Sequence, residues 1–103
     1  MLKKSILLLT VLVIPLVFAD DSSEVKALKK DMPQDVAAII ERIVGCNHWS
    51  GEEPSNKARA EEINKAVTRL QCGSIEQDQA KISKVYQNNY EVKMRIQKAK
   101  ELF

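Results

Sequence analysis

The chain is poor in the residues from which most small functional sites are made. Its 103 residues include one His, one Trp, two Cys and three Gly, and aromatic residues make up 5% of the total. One His and two isolated Cys do not supply the paired Cys-x-x-Cys or His-x-x-x-His spacing of a confident metal site. The scattered Gly leave no glycine-rich phosphate loop, and neither a nucleophile elbow nor a zinc-protease helix motif is present. No segment alternates apolar and polar residues for long enough to argue for a strand, so the class is all-α.

One long apolar run is present, and it stands at the N-terminus. Lys3 and Lys4 precede an apolar stretch from Ile6 to Phe18, followed by Ala19, which is the layout of a signal peptide over residues 1–19. The apolar run is about 13 residues, whereas a spanning helix needs roughly 20. Cleavage after Ala19 is therefore expected rather than retention as an anchor, and with no Cys at the junction there is no site for an N-terminal lipid. The expected location is the periplasm or the outside of the cell, with no stable membrane anchor after cleavage.

Cleavage changes the charge balance. The chain holds 16 basic and 14 acidic residues. Lys3 and Lys4 leave with the signal peptide, so the 84 remaining residues carry fourteen of each. The whole-molecule electrostatic case for nucleic-acid binding goes with them, and no nucleic-acid partner is expected. The remaining charge is unevenly placed: residues 20–80 sum to minus four and residues 81–103 to plus four. Basic side chains near a helix C-terminus oppose its dipole favourably, which explains the second block as a solvated helix face. A polyanion or membrane-surface site is the alternative, and a run so sparse in aromatics lacks the usual anchors.

Residues 20–31 are polar apart from Val25, Ala27 and Leu28, and read as a flexible leader or a loose turn of helix. The domain proper is expected over residues 32–103. From Pro33, residues Val36, Ile39, Ile40, Ile43 and Val44 recur at spacings of three and four, predicting a helix that ends at Gly45. Residues 45–54, GCNHWSGEEP, have no helical period and read as a loop. A second helix follows Pro54, with Ser55 as N-cap, the apolar face Ala60, Ile63, Ala66, Val67 and Leu70, and an end near Cys72-Gly73. Ser74 opens a third segment, with Gln77 at the capping-box position. Its stripe runs through Ile75, Ile82, Val85 or Tyr86, Val92, Ile96, Ala99 and Phe103. Asn88-Asn89 interrupts it with weak helix formers, leaving a single helix and a broken one both open. The expected architecture is a small bundle of three to four helices.

Cys46 and Cys72 are the only cysteines. In an oxidising compartment such a pair is most simply one disulfide, worth roughly 3 to 4 kcal/mol by the loop-closure model. A second helix of about 16 residues is about 24 Å long. In a simple hairpin the two cysteines would lie at opposite ends. The loop from Asn47 to Pro54 reaches at most about 27 Å, so the bond predicts an extended crossover, with the first two helices meeting at their C-terminal ends.

The segment from Cys46 to Pro54 gathers the only His, the only Trp and two adjacent carboxylates. A structural role would have Trp49 plug the bundle end, His48 satisfy a backbone group, Gly51 supply a turn, and Glu52 and Glu53 face the N-terminus of the second helix. A binding role would use His48, Trp49, Glu52 and Glu53 as a loop site for a protein partner. A third reading places zinc or copper on His48, Cys46, Cys72 and Glu52, with free thiolates as the soft ligands. Catalysis by Cys46 or Cys72 with His48 lacks an orienting third group, and adjacent Glu52 and Glu53 are poorly placed as an acid and base pair. No catalytic residue and no cofactor is assigned. Trp49, Tyr86 and Tyr90 also suggest an aromatic anchor patch, against core filling as the plainer role.

At Met32-Pro33-Gln34-Asp35-Val36, CNHWSGEEP and Tyr86-Gln87-Asn88-Asn89 the chain resembles a group of small exported proteobacterial helical proteins to which no activity is assigned. The likeness covers roughly residues 32–92. In that group a Tyr-Asp pair often follows the Pro and a Pro follows the Asn pair; here Ser55-Asn56 and Tyr90 stand instead. The resemblance implies an exported helical fold and carries over no catalytic residue. In size and architecture the chain is also similar to periplasmic immunity proteins and lysozyme inhibitors, at the level of fold class alone. The expectation is an exported, non-enzymatic protein that binds another protein, with a metal-binding envelope protein or a secreted toxin or effector as alternatives.

Overall fold

A computed structural model describes residues 22–102, so the expected signal peptide and Phe103 lie outside the described residues. The fold is all-α: five α-helices and one 3₁₀ turn, with no strand, among the described residues. They are α1 (Ser23–Lys29), α2 (Gln34–Ser50), α3 (Lys57–Arg69), the 3₁₀ turn Cys72–Ser74, α4 (Ile75–Val85) and α5 (Tyr90–Lys100).

The segment read as a polar leader contains α1. Ser22 caps it by accepting from the Val25 amide at 3.3 Å, Glu24 lies in the first turn, and Lys26 and Lys29 lie in the last. That charge order suits the helix dipole. Val25 and Leu28, three residues apart, share one face and are buried in the core, so the packed domain includes residues before 32. Two apolar residues are too few to announce a helix by periodicity, but they suffice once a neighbouring surface covers them.

Helix α2 is the axis of the fold and packs against α1, α3, α4 and α5. Val36, Ile39, Ile40, Ile43 and Val44 are all buried. The helix does not stop at Gly45 but continues to Ser50, so the first half of the expected loop is its last turn. Gly45 has a packing role: a Cβ there would lie 2.8 Å from Leu70 Cδ1. It permits close approach of the chain leaving α3 rather than ending α2.

Two expected caps are replaced. Asn56, not Ser55, caps α3 by accepting from the Arg59 amide at 2.8 Å. Ser74 makes no capping bond to the backbone of α4; its hydroxyl donates to Asp78 Oδ2 at 3.0 Å. The third segment is broken, with α4 ending at Val85 and Asn89 capping α5 by accepting from the Val92 amide at 3.1 Å. Asn at an N-cap offers an amide acceptor that a mid-helix position would waste. Tyr86, not Val85, packs against the core.

Three long-range donors complete helix C-termini. Arg95 donates through Nη1 to the carbonyls of Ala27, Leu28 and Lys30, at 3.2, 2.8 and 3.1 Å. Arg42 donates to the carbonyls of Leu70 and Gln71, at 2.8 and 3.0 Å. Asn47 donates to the Lys100 carbonyl at 3.3 Å. Helix C-termini leave carbonyls short of intrahelical donors, and each of these bonds also ties one element to another.

Ile40 is 0% exposed, and Ile40→Ala is expected to cost about 2 to 5 kcal/mol in urea unfolding. Exposed Val85→Ala is expected to stay within about 0.5 kcal/mol of the parent. Gln71 follows α3 with φ 57°, in the left-handed region. Gln71→Gly removes the Cβ penalty there, and a rise in stability of about 1 kcal/mol is expected from the same measurement.

Candidate functional site

The site is built where α2 ends. Cys46 and Cys72 form a disulfide with their Cα atoms 5.6 Å apart. Helix α2 is thereby fastened to the 3₁₀ turn after α3. The end of α3 is fastened to α2 at Arg42, Gly45 and Cys46, four to eight residues before α2 ends, while Arg59 at the start of α3 meets Trp49. The expected meeting of two C-terminal ends is not what forms, because α2 continues past Cys46 to Ser50. The crossover is shorter than expected, residues 51–56, because α2 runs on to Ser50.

His48 and Trp49 project from the last turn of α2 rather than from a loop. Their rings meet edge to face, with centroids 5.3 Å apart and planes at 79°. Trp49 is half-buried and is not part of the main core cluster, so it does not plug the bundle end. Its ring is covered by Arg59, whose guanidinium carbon lies 5.0 Å from the ring centroid. A cation over the electron-rich face of Trp is attractive even at a partly solvated surface.

Arg59 organises the cluster, and it was not among the sequence candidates. It lies in the first turn of α3 and donates through Nη2 to both Glu52 oxygens, at 2.7 and 2.6 Å, and through Nη1 to Glu62 at 2.8 Å. The hydrogen bonds it donates to Glu52, and then to Glu62, hold the guanidinium above its ordinary pKa. Glu52 is thus neutralised within the molecule and does not face the start of α3 as a free charge. Glu53 is exposed. Gly51 closes α2 with an ordinary right-handed backbone, φ −88° and ψ −1°. No sequence signal marked Arg59: it stands seven residues beyond Glu52, and that separation becomes a contact only when the chain turns back.

Two other sequence readings separate at this point. With both sulfurs in the disulfide, neither Cys46 nor Cys72 offers a thiolate to a metal or to His48. Among the described residues no group of three or more His, Cys, Asp or Glu side chains gathers where it could hold a metal ion. The aromatics do not form one patch. Tyr86 donates to Asp35 at the start of α2, at 2.9 Å, and is partly buried; Tyr90 is 74% exposed. Asp35 and Trp49 are fourteen residues apart along one helix, about 21 Å. The bond to the Asp35 carboxylate, more than burial, raises the pKa of the Tyr86 phenol.

The staple is supported by a second ion pair. Arg42 meets Asp78 at 2.9 Å while clamping the end of α3. Hydrogen bonds from Arg42 first, and from Ser74 second, lower the Asp78 pKa below 3.8. A carboxyl with a depressed folded-state pKa adds stability above its unfolded value and loses it as pH falls through the folded value. Thermal unfolding from about pH 4 down to about pH 2 should therefore show a shallower acid loss in Asp78→Asn than in the parent. Identical slopes would place the acid sensitivity elsewhere.

Comparison with known proteins returns no matching family model, no matching curated protein and no matching solved structure.

Proposed function

We propose that this chain is an exported, non-enzymatic helical protein that binds another protein in the cell envelope or outside the cell. The contact surface is the end of α2 and the crossover: His48, Trp49 and Glu53, held by Glu52 and Arg59. The observation that carries the reading is the half-buried Trp49 ring under the Arg59 guanidinium at 5.0 Å. Trp and Arg are the residues that most often dominate binding energy at protein interfaces. Here both are fixed before any partner arrives. The disulfide anchors α2 three residues before Trp49, and Glu52 and Glu62 hold the guanidinium from two sides. Fewer rotamers then remain to be frozen on association, which lowers its entropic cost.

The electrostatics favour a basic partner. From Glu52 to Glu62 four carboxylates face two cations, Lys57 and Arg59. Since Glu52 is occupied by Arg59, Glu53 is the carboxylate of the original loop site left to steer a cationic surface. Immunity proteins and lysozyme inhibitors offer an analogy for such a role at the level of fold class alone, and the signal peptide expected over residues 1–19 would bring the chain to the same compartment.

The test is affinity capture from the envelope fraction of the exporting host, comparing parent, Trp49→Ala, Glu53→Lys and the control Glu24→Ala on α1. Trp49→Ala is expected to weaken the captured complex about 30-fold, the effect of losing a 2 kcal/mol hot spot. Glu53→Lys should slow association, and Glu24→Ala should behave as the parent. Retention of every partner by folded Trp49→Ala and Glu53→Lys would sink the proposal.

A further inference from the structure

Two large hydrophobic side chains stand exposed in the described domain, Val85 at 71% and Tyr90 at 74%. They flank a single turn. The Asn89 amide donates to the Tyr86 carbonyl at 2.9 Å and folds the chain back between α4 and α5. From Lys84 to Glu91 every residue except Tyr86 is exposed, so the corner projects from the domain. Tyr86 turns inward to bond Asp35 and fixes the corner to the start of α2.

Positive charge gathers around the same corner. Lys81 and Lys84 lie on the last turn and a half of α4, and Lys93 lies one turn into α5; all three are exposed. None of them forms a salt bridge with a described residue. Of the neighbouring acids, Glu91 pairs with Arg95 and Asp78 with Arg42, while Asp35 accepts from the neutral Tyr86 hydroxyl and leaves one negative charge against three lysines. Lys81, Lys84 and Lys93 therefore give the corner a local excess of positive charge, while Lys98 and Lys100 lie at the far end of α5.

We propose that the α4–α5 corner docks reversibly on an anionic lipid surface. Tyr90 and Val85 enter the headgroup boundary, and Lys81, Lys84 and Lys93 reach the lipid phosphates around them. Tyr suits that depth because its ring is apolar and its hydroxyl stays wet. Lys stems lie along apolar material while their ammonium groups reach outward. A protein partner is the poorer fit, because a stable interface needs about 800 Å² on each side with pockets for its anchors, and a convex turn with two apolar tips offers neither. A bilayer accepts a protruding tip without a matching pocket. The sparse aromatics of the basic segment argued against a surface site on sequence alone; the exposure of Tyr90 supplies the missing anchor. Docked this way, the Trp49 end of α2 stands about 21 Å from the lipid-facing end, clear for a partner.

The test is vesicle co-sedimentation of the protein purified from its exporting host. Vesicles of phosphatidylcholine are compared with vesicles of phosphatidylglycerol and phosphatidylcholine in equal parts. Any apolar N-terminal residues retained would favour both vesicle types, so the readout is the ratio between the two. A ratio well above one at about 0.1 M salt is expected, falling toward one in about 1 M salt. Lys84→Ala and Lys93→Ala should each lower it about fivefold, and Val85→Ser with Tyr90→Ser should lower the fraction pelleted with the anionic vesicles. These positions are exposed, and circular dichroism checks that the variants fold. Equal pelleting on both vesicles, a ratio unmoved by the lysine substitutions, or anionic-vesicle pelleting unmoved by those at Val85 and Tyr90, overturns the proposal. So does equally tight binding to polyglutamate that survives Tyr90→Ser, which would point to an acidic protein instead.

Discussion

Burial against α2 is the interaction on which the other elements depend. Val36, Ile39, Ile40, Ile43 and Val44 give that helix a continuous aliphatic stripe, and α1, α4 and α5 each contribute a few residues to cover it. None of the covering helices is long: α1 has 7 residues, α4 and α5 have 11 each. Helices of that length are marginal in isolation, since nucleation costs more than a few turns return. They persist because each meets a surface that is already apolar.

Short helices also leave a large share of their carbonyls without intrahelical partners, and the structure meets that need from outside. Arg95 serves the end of α1, Arg42 the end of α3 and Asn47 the end of α5. Each donor lies on a different helix from its acceptors, so satisfying a helix end also sets the spacing between helices. Among the described residues no polar or charged residue is buried in the core, and specificity of packing comes from this peripheral bonding. The disulfide works to the same end at the point where α3 is least supported, as Ala66 is its one fully buried residue.

The two candidate surfaces follow from the same layout. One end of α2 carries Trp49 and, through the crossover, the Arg59 cluster; the other is bonded through Asp35 to the α4–α5 corner. Glu52, Glu53 and Glu62 lie at the first, and Lys81, Lys84 and Lys93 lie around the second. A near-neutral chain can therefore present two electrostatically distinct faces, which net charge alone conceals.

The sequence by itself determined the helical class, the stripe on α2 and the pairing of the cysteines. These are local periodicities or the consequence of having two cysteines in an oxidising compartment, and neither needs a partner surface to be read. Tertiary structure decided the rest. Gly45 read as a helix stop because glycine is a weak helix former, yet it stays helical because Leu70 needs the space of its missing side chain. Val25 and Leu28 read as strays in a polar leader until α2 and α5 gave them a surface to meet. Arg59 gave no signal at all, because a cation becomes part of a site only when the fold brings a carboxylate and an aromatic face to it.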